Sequence, residues 1–288
     1  MAKETINFKQ ERDFGEVFNA TFGFIGQEFK MLGTSILYFG IPLLIVAAIF
    51  SVFISLKQQE FMGDFTSNLD PQDSLAQVGE MYKYIFLTLL VMLIAMVPLQ
   101  CTIYGYIKCY IEKGRGNFTQ DDVWQKVKQY FFPFLGTTIL VSIVVLIGTV
   151  LCILPGIFLA VSLSLIYAVM MFESKGFGQS FSESFNLTMK KWWLTLGILF
   201  VAGILIYVIQ LILSIPSIIL FGFKSFFTAI KEGSTPVFPT GYYIMSAAIS
   251  LITYVLYSIP AIILAFHYFS LKETFAKPSL EDKIEQIQ

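Results

Sequence analysis

Five stretches of this chain each run for more than twenty residues without a charged side chain, and nothing else in the sequence limits the fold so tightly. Between Lys30 and Lys57 lie 26 uncharged residues, between Lys83 and Lys108 24, between Lys128 and Glu173 44, between Lys191 and Lys224 32, and between Glu232 and Lys272 39. A hydrocarbon core about 30 Å thick takes roughly 20 apolar residues per helix. Inside it every backbone amide must be paired within the protein, which leaves helices or a closed barrel. Barrel strands alternate apolar and polar residues and these runs do not, so helices are expected. Composition agrees: 14% of the residues are charged, against about 25% in a soluble domain. Thirty phenylalanines would overfill the interior of a water-soluble fold of this size.

The 44-residue run is too long for one span. It carries a break at Leu154-Pro155-Gly156, because proline removes a helix donor and glycine permits a turn. The sequence therefore predicts an all-α membrane protein, one domain over residues 1–288, with spans at about 33–56, 84–107, 133–153, 155–172, 193–221 and 242–270. Lysine and arginine placement sets the orientation. With both termini cytoplasmic, 15 of the 19 Lys and Arg lie inside, from Lys3, Lys9, Arg12 and Lys30 to Lys272, Lys277 and Lys283. Lys57, Lys83, Lys224 and Lys231 lie outside. One span over the 44-residue run degrades the ratio to 11 against 8. A re-entrant hairpin there keeps it, so charge leaves two full spans and a hairpin both open. The polar opening MAKETINFKQERDFGE has no secretory pattern, so the first apolar run is expected to act as the insertion signal, into a bacterial inner membrane. Residues 58–82, with Glu60, Asp64, Asp70, Asp73 and Glu80, are expected to form a solvated acidic outer loop.

Three segments resemble one another: FGEVFNATFGFIGQEFKMLGTSIL from Phe14, FTQDDVWQKVKQYFFPFLGTTIL from Phe118, and FGQSFSESFNLTMKKWWLTLGILF from Phe177. Each opens on an aromatic, runs through an amphipathic stretch and reaches glycine (Gly33, Gly136, Gly197) at the head of a span. The stripes have helical spacing, as in Phe14, Val17, Phe18, Thr21, Phe22, Ile25 and Phe29. Interfacial helices are expected over about 12–30, 119–131 and 177–191, lying in the headgroup plane. Pro98, Pro155 and Pro260 each sit in a span that returns to a cytoplasmic glutamate, Glu112, Glu173 or Glu273. The pattern predicts three repeats of interfacial helix plus transmembrane hairpin.

Chemistry-bearing patterns are sparse. His267 is the only histidine, which excludes multi-histidine metal sites, and it reads as a packed polar residue. No Gly-x-Ser-x-Gly elbow and no glycine-rich phosphate loop occurs, and Gly114-Arg115-Gly116 is a short basic turn. Neither catalytic, cofactor nor metal residues are expected. Gln100, Gln210 and His267 are the strongly polar groups within spans. They are candidates for a polar pathway, or for glue between helices. Cys101, Cys109 and Cys152 read as small packing residues rather than a disulfide framework. Lys190-Lys191-Trp192-Trp193 joins cations to rings, which is an interfacial anchor or a site for anionic lipid. A net charge of −1 carries no nucleic-acid signature.

Residues 154–193, LPGIFLAVSLSLIYAVMMFESKGFGQSFSESFNLTMKKWW, follow a Leu-Pro-Gly turn, a span ending in Glu, a glycine, and a serine-containing amphipathic helix with a basic-aromatic end. This resembles the membrane domain associated with glycerophosphoryl diester phosphodiesterases and the similar stand-alone bacterial membrane proteins. The opening FGEVFNATFGFIGQEFK is similar as well. The resemblance marks Pro155, Gly156, Glu173, Gly176, Ser184 and Lys190 as the motif positions. No arginine precedes Ser184 as it often does in that family. The family's phosphodiesterase chemistry belongs to a separate soluble barrel of about 250 residues, and this chain has no soluble segment of that length. The resemblance therefore implies the membrane part without the catalytic part.

The sequence thus points to a non-enzymatic, multi-spanning inner-membrane protein interacting with membrane lipids and with a protein partner or further copies of itself. The rivals are a channel or facilitator for a lipid or small solute, using serines such as Ser142, Ser162, Ser164 and Ser214, and a membrane enzyme built on Glu173 and Ser184.

Overall fold

The computed structural model describes residues 6–67, 71–233 and 236–276. Lys3, Asp70, Lys277 and Lys283 lie outside them. The described residues are mostly helical, with no strand among them. Six helical stretches among them are long and apolar enough to cross a membrane: Phe14–Gln59, Tyr82–Lys113, Gln120–Leu151, Ile153–Glu173, Trp192–Glu232 and Thr240–Ala276.

The elements are α1 (Phe14–Ser35), α2 (Ile41–Ser67), α3 (Pro71–Lys113), α4 (Gln120–Leu151), α5 (Ile153–Ser162), α6 (Ile166–Glu173), α7 (Phe177–Met189), α8 (Trp192–Ser217), α9 (Phe223–Glu232), α10 (Thr240–Leu256) and α11 (Ser258–Ala276). Single π-turns, Ile36–Gly40 and Ile218–Gly222, join α1 to α2 and α8 to α9.

Several boundaries differ from the sequence reading. Of the expected interfacial helices only 177–191 stands as a separate element, α7. The stretch 12–30 runs on as α1 and passes through a π-turn into α2, without a break at Gly33. Thr34 and Ser35 donate to the carbonyls of Lys30 and Met31 at 2.6 and 2.9 Å, back-bonds that bend a helix rather than end it. Residues 119–131 likewise continue through Pro133 and Gly136 as α4. Residues 58–82 are mostly helix rather than loop. Pro71 opens α3 at the one helical position where a missing N–H costs nothing. The span 155–172 is two pieces, α5 and α6, separated at Leu163-Ser164-Leu165. Cys101 and Cys109 are buried, but Cys152 is exposed, in extended backbone between α4 and α5.

The chain divides into two compact units: residues 1–40, 97–204 and 257–288, and residues 41–96 and 205–256. In the first, residues 101–110 of α3 are buried on every side, Thr102 and Lys108 included. α1 packs on α11, α4 on α5, and α7 on both α5 and α6. Asp13 and Glu16 start α1 with a reciprocal capping box at 2.8 and 2.9 Å. The segment before it inserts Phe8 among Phe24, Tyr110, Phe266 and Phe269. Phe8 stacks on Phe266 with centroids 4.2 Å apart.

In the second unit α2 packs on α10 around Leu44, Ala47 and Ala95. An apolar groove of about 680 Å³ lies between α2 and α3, lined by residues including Val46, Phe50, Phe53 and Val91.

Candidate functional site

The densest polar constellation forms where α6, α7 and α11 meet in the first unit. α6 ends at Glu173, and the next residue, Ser174, has φ 55°, the left-handed turn that closes many helices. That turn brings Lys175 back to the Glu173 carboxylate at 2.5 Å. Lys272 of α11 reaches Glu173 at 2.7 Å and Glu183 of α7 at 2.5 Å. Lys175 also faces Glu183 at 3.6 Å, which closes a ring of four alternating charges. Tyr268 donates its phenol to Glu173 at 2.5 Å. Glu173 thus takes three donors, two cationic and one phenolic. The hydrogen bond to Glu173 raises the Lys175 ammonium above its ordinary value. These charge-assisted bonds fix the orientation of the Glu173 carboxylate.

A second set of donors ends α6. Lys108, buried in α3, donates to the Met171 carbonyl at 2.5 Å and to Ser174 Oγ at 2.9 Å. Tyr130 donates to the same hydroxyl at 3.0 Å. A cation at a helix C-terminus meets the negative end of the helix dipole and the carbonyls that lack intrahelical partners. Lys108 shares a helical stripe with Tyr104 and Cys101, one and two turns earlier, and the whole stripe is buried. Sequence reasoning missed Lys108, Lys175, Glu183, Tyr268 and Lys272 as site residues. A further carboxylate, the buried Glu28 of α1, pairs with Arg115 at 2.7 Å and accepts from Tyr106 at 2.7 Å.

The motif residues take separate structural posts. Ser184 lies on the buried face of α7 and donates to the Ser162 carbonyl at 3.0 Å, while Glu173 is engaged with the lysines. Their polar atoms therefore have different partners. Pro155 and Gly156 stand in the first turn of α5. A Cβ on Gly156 would lie 2.9 Å from Thr149 Cα and collide with Thr149 Oγ1, so only glycine lets α4 and α5 approach this closely. Gly176 is the N-cap of α7. Lys190 closes that helix, its ammonium 4.4 Å from the centre of the Phe275 ring.

Among the pathway candidates, His267 is buried and bonded to Thr195 Oγ1 at 2.8 Å. Gln100 belongs to the first unit and Gln210 to the second. Ser162 and Ser214 return their hydroxyls to the carbonyls of Phe158 and Leu211 at 2.8 Å, which satisfies each hydroxyl within its own helix. Among the described residues no three His, Cys, Asp or Glu side chains converge as metal ligands. No family model, no curated protein and no protein of known structure matches the chain.

Proposed function

We propose that this protein is a non-enzymatic scaffold of the bacterial inner membrane, with six spans, both termini cytoplasmic, and lipids together with a protein partner or further copies as its ligands. The observation that carries the reading is the charge ring. Glu173, Lys175, Glu183 and Lys272 neutralise one another and fix three helices, and Ser184 is bonded to main chain. Exposed rings and aliphatic chains such as Phe132, Leu151, Trp193 and Phe200 give these helices an outer surface suited to hydrocarbon. The likeness of residues 154–193 to phosphodiesterase-associated membrane domains belongs to the same proposal: the membrane part, standing alone. Mass spectrometry of gently solubilised protein tests it. Retained lipid or a stoichiometric partner is expected. Partitioning into the aqueous fraction without detergent contradicts it.

The apolar groove between α2 and α3 favours a second reading, a facilitator for a lipid, since its walls suit an acyl chain. Vesicles reconstituted with the protein would then move a fluorescent lipid between leaflets faster than protein-free vesicles. Equal rates count against it.

A further inference from the structure

We infer that three lysine–aromatic sites in the first unit, Phe29 with Lys30, Trp124 with Lys128, and Trp193 with Lys190 and Lys191, hold the phosphate headgroups of anionic phospholipids. This rests on the reading that these residues face the cytoplasmic leaflet.

Several cations of the first unit are already neutralised. Lys108 and Lys126 reach Glu112 at 3.9 and 3.0 Å, Lys113 reaches Asp122 at 2.7 Å, and Arg115 reaches Glu28 at 2.7 Å. Lys175 and Lys272 belong to the ring. Lys30, Lys128, Lys190 and Lys191 have no carboxylate within 4 Å among the described residues. Asp121 shares the face of Lys128 but lies two turns away, about 10 Å along the axis.

In sequence each of these cations has an exposed ring close by: Lys30 follows Phe29, Lys128 lies one turn after Trp124, and Lys190 and Lys191 shortly precede Trp193. Phe29 is 71% exposed, Trp124 40% and Trp193 79%, part of an exposed apolar surface on the same helices that includes Phe22, Phe132 and Phe200. The Lys128 ammonium lies 5.7 Å from the Trp124 ring centre, and those of Lys190 and Lys191 lie 4.4 and 5.9 Å from that of Phe275. Such contacts steady an ammonium without cancelling its charge. Phe29 and Lys30 lie in the last two turns of α1, Trp124 and Lys128 in the first three turns of α4, and Lys191 and Trp193 flank the start of α8.

An exposed ring beside an unneutralised ammonium matches one environment well. The ring settles at the acyl–headgroup boundary and the ammonium reaches the phosphate level. A soluble phosphate would meet the charge and leave the rings in water. An acidic protein would need no ring at membrane depth. Charge complementarity and ring exposure together select the lipid.

The test uses the full-length protein in phosphatidylcholine nanodiscs doped with phosphatidylglycerol, bound lipids being counted by native mass spectrometry. Wild type is expected to prefer phosphatidylglycerol. Lys30→Gln, Lys128→Gln, and Lys190→Gln with Lys191→Gln each lower that preference, by about fivefold per lysine. Lys→Arg at the same positions keeps it, which separates charge from folding. Lys224→Gln with Lys231→Gln leaves it unchanged. The inference is overturned if the Gln variants keep the preference, if the Lys224/Lys231 variant loses as much, if the Lys→Arg variants lose it, or if glycerol phosphate displaces the lipid. Wild type binding both lipids equally overturns this inference alone. Wild type retaining no lipid of either kind overturns the scaffold reading with it.

Discussion

Ser184 Oγ donates to the main-chain oxygen of Ser162 at 3.0 Å, and that oxygen is the one released where α5 gives way to α6. In an unbroken helix it would accept from the Ile166 N–H, which instead bonds to the Leu163 carbonyl at 3.1 Å. An unpaired carbonyl at membrane depth costs several kcal/mol. A hydroxyl on the neighbouring helix removes that penalty, so the serine of the motif serves the backbone.

Ser184→Ala should therefore destabilise the protein by about 1–3 kcal/mol, the cost of orphaning a buried acceptor. Ser182→Ala, on the exposed face of α7, should change it by less than about 0.5 kcal/mol. Thermal unfolding in detergent, followed by tryptophan fluorescence, measures both. Equal stability of the two variants would remove the capping role.

The approach of α4 and α5 predicts a glycine effect of a different kind. Gly156→Ala drives a methyl against Thr149 Cα, 2.9 Å away, and should cost about 2 kcal/mol or more. Gly33→Ala meets nothing within 4 Å and should gain a few tenths of a kcal/mol from helix propensity. The same unfolding assay orders them, and a Gly156→Ala protein as stable as wild type would show the hairpin to be loosely packed.

Much of this architecture could be read from the charge-free runs, because the cost of a charge in hydrocarbon is written locally, residue by residue. The helix break at Leu163-Ser164-Leu165 could not. No proline or glycine marks it, and it persists because Ser184 comes from another helix. The charge ring was equally hidden: Lys272 and Glu183 are 89 residues apart, and their pairing exists only through the packing of α11 near α6 and α7. Glu173 was visible as the end of a span, without its partners. The continuity of α1 into α2 was missed because Gly33 reads as a boundary, and only the back-bonds of Thr34 and Ser35 reveal a bend.

The ring predicts modest, mutual coupling. Its side chains are between 20 and 34% exposed, so solvent screens them. A double-mutant cycle of Glu183→Gln with Lys272→Met should give about 1 kcal/mol. Lys175 sets the pH range. Its pKa is raised on folding, mainly by the hydrogen bond to Glu173, so its contribution is complete below the ordinary lysine value of 10.5 and is lost only as pH rises through the higher folded value. Lys175→Met should remove a stability that is flat from neutral pH to about 10. A loss that fades between pH 6 and 8 would contradict this assignment.

Lys108 holds a strained residue. Lys108→Met leaves the Met171 carbonyl and the Ser174 hydroxyl without their charged donor, at a cost of about 2–3 kcal/mol. Adding Ser174→Gly should recover about 1 kcal/mol, because glycine adopts φ 55° without penalty. No recovery in the double variant would mean that the left-handed turn is not what Lys108 supports.

The central claim is that the chain crosses the membrane six times with both ends in the cytoplasm. Single-cysteine variants on a cysteine-free background, probed in intact cells with an impermeant thiol reagent, test it directly. Lys9→Cys, Gly116→Cys and Lys175→Cys should label only after permeabilisation, and Gly233→Cys should label at once. Labelling of Lys175→Cys in intact cells, or Lys9→Cys and Gly116→Cys reporting opposite faces of the bilayer, would contradict the account.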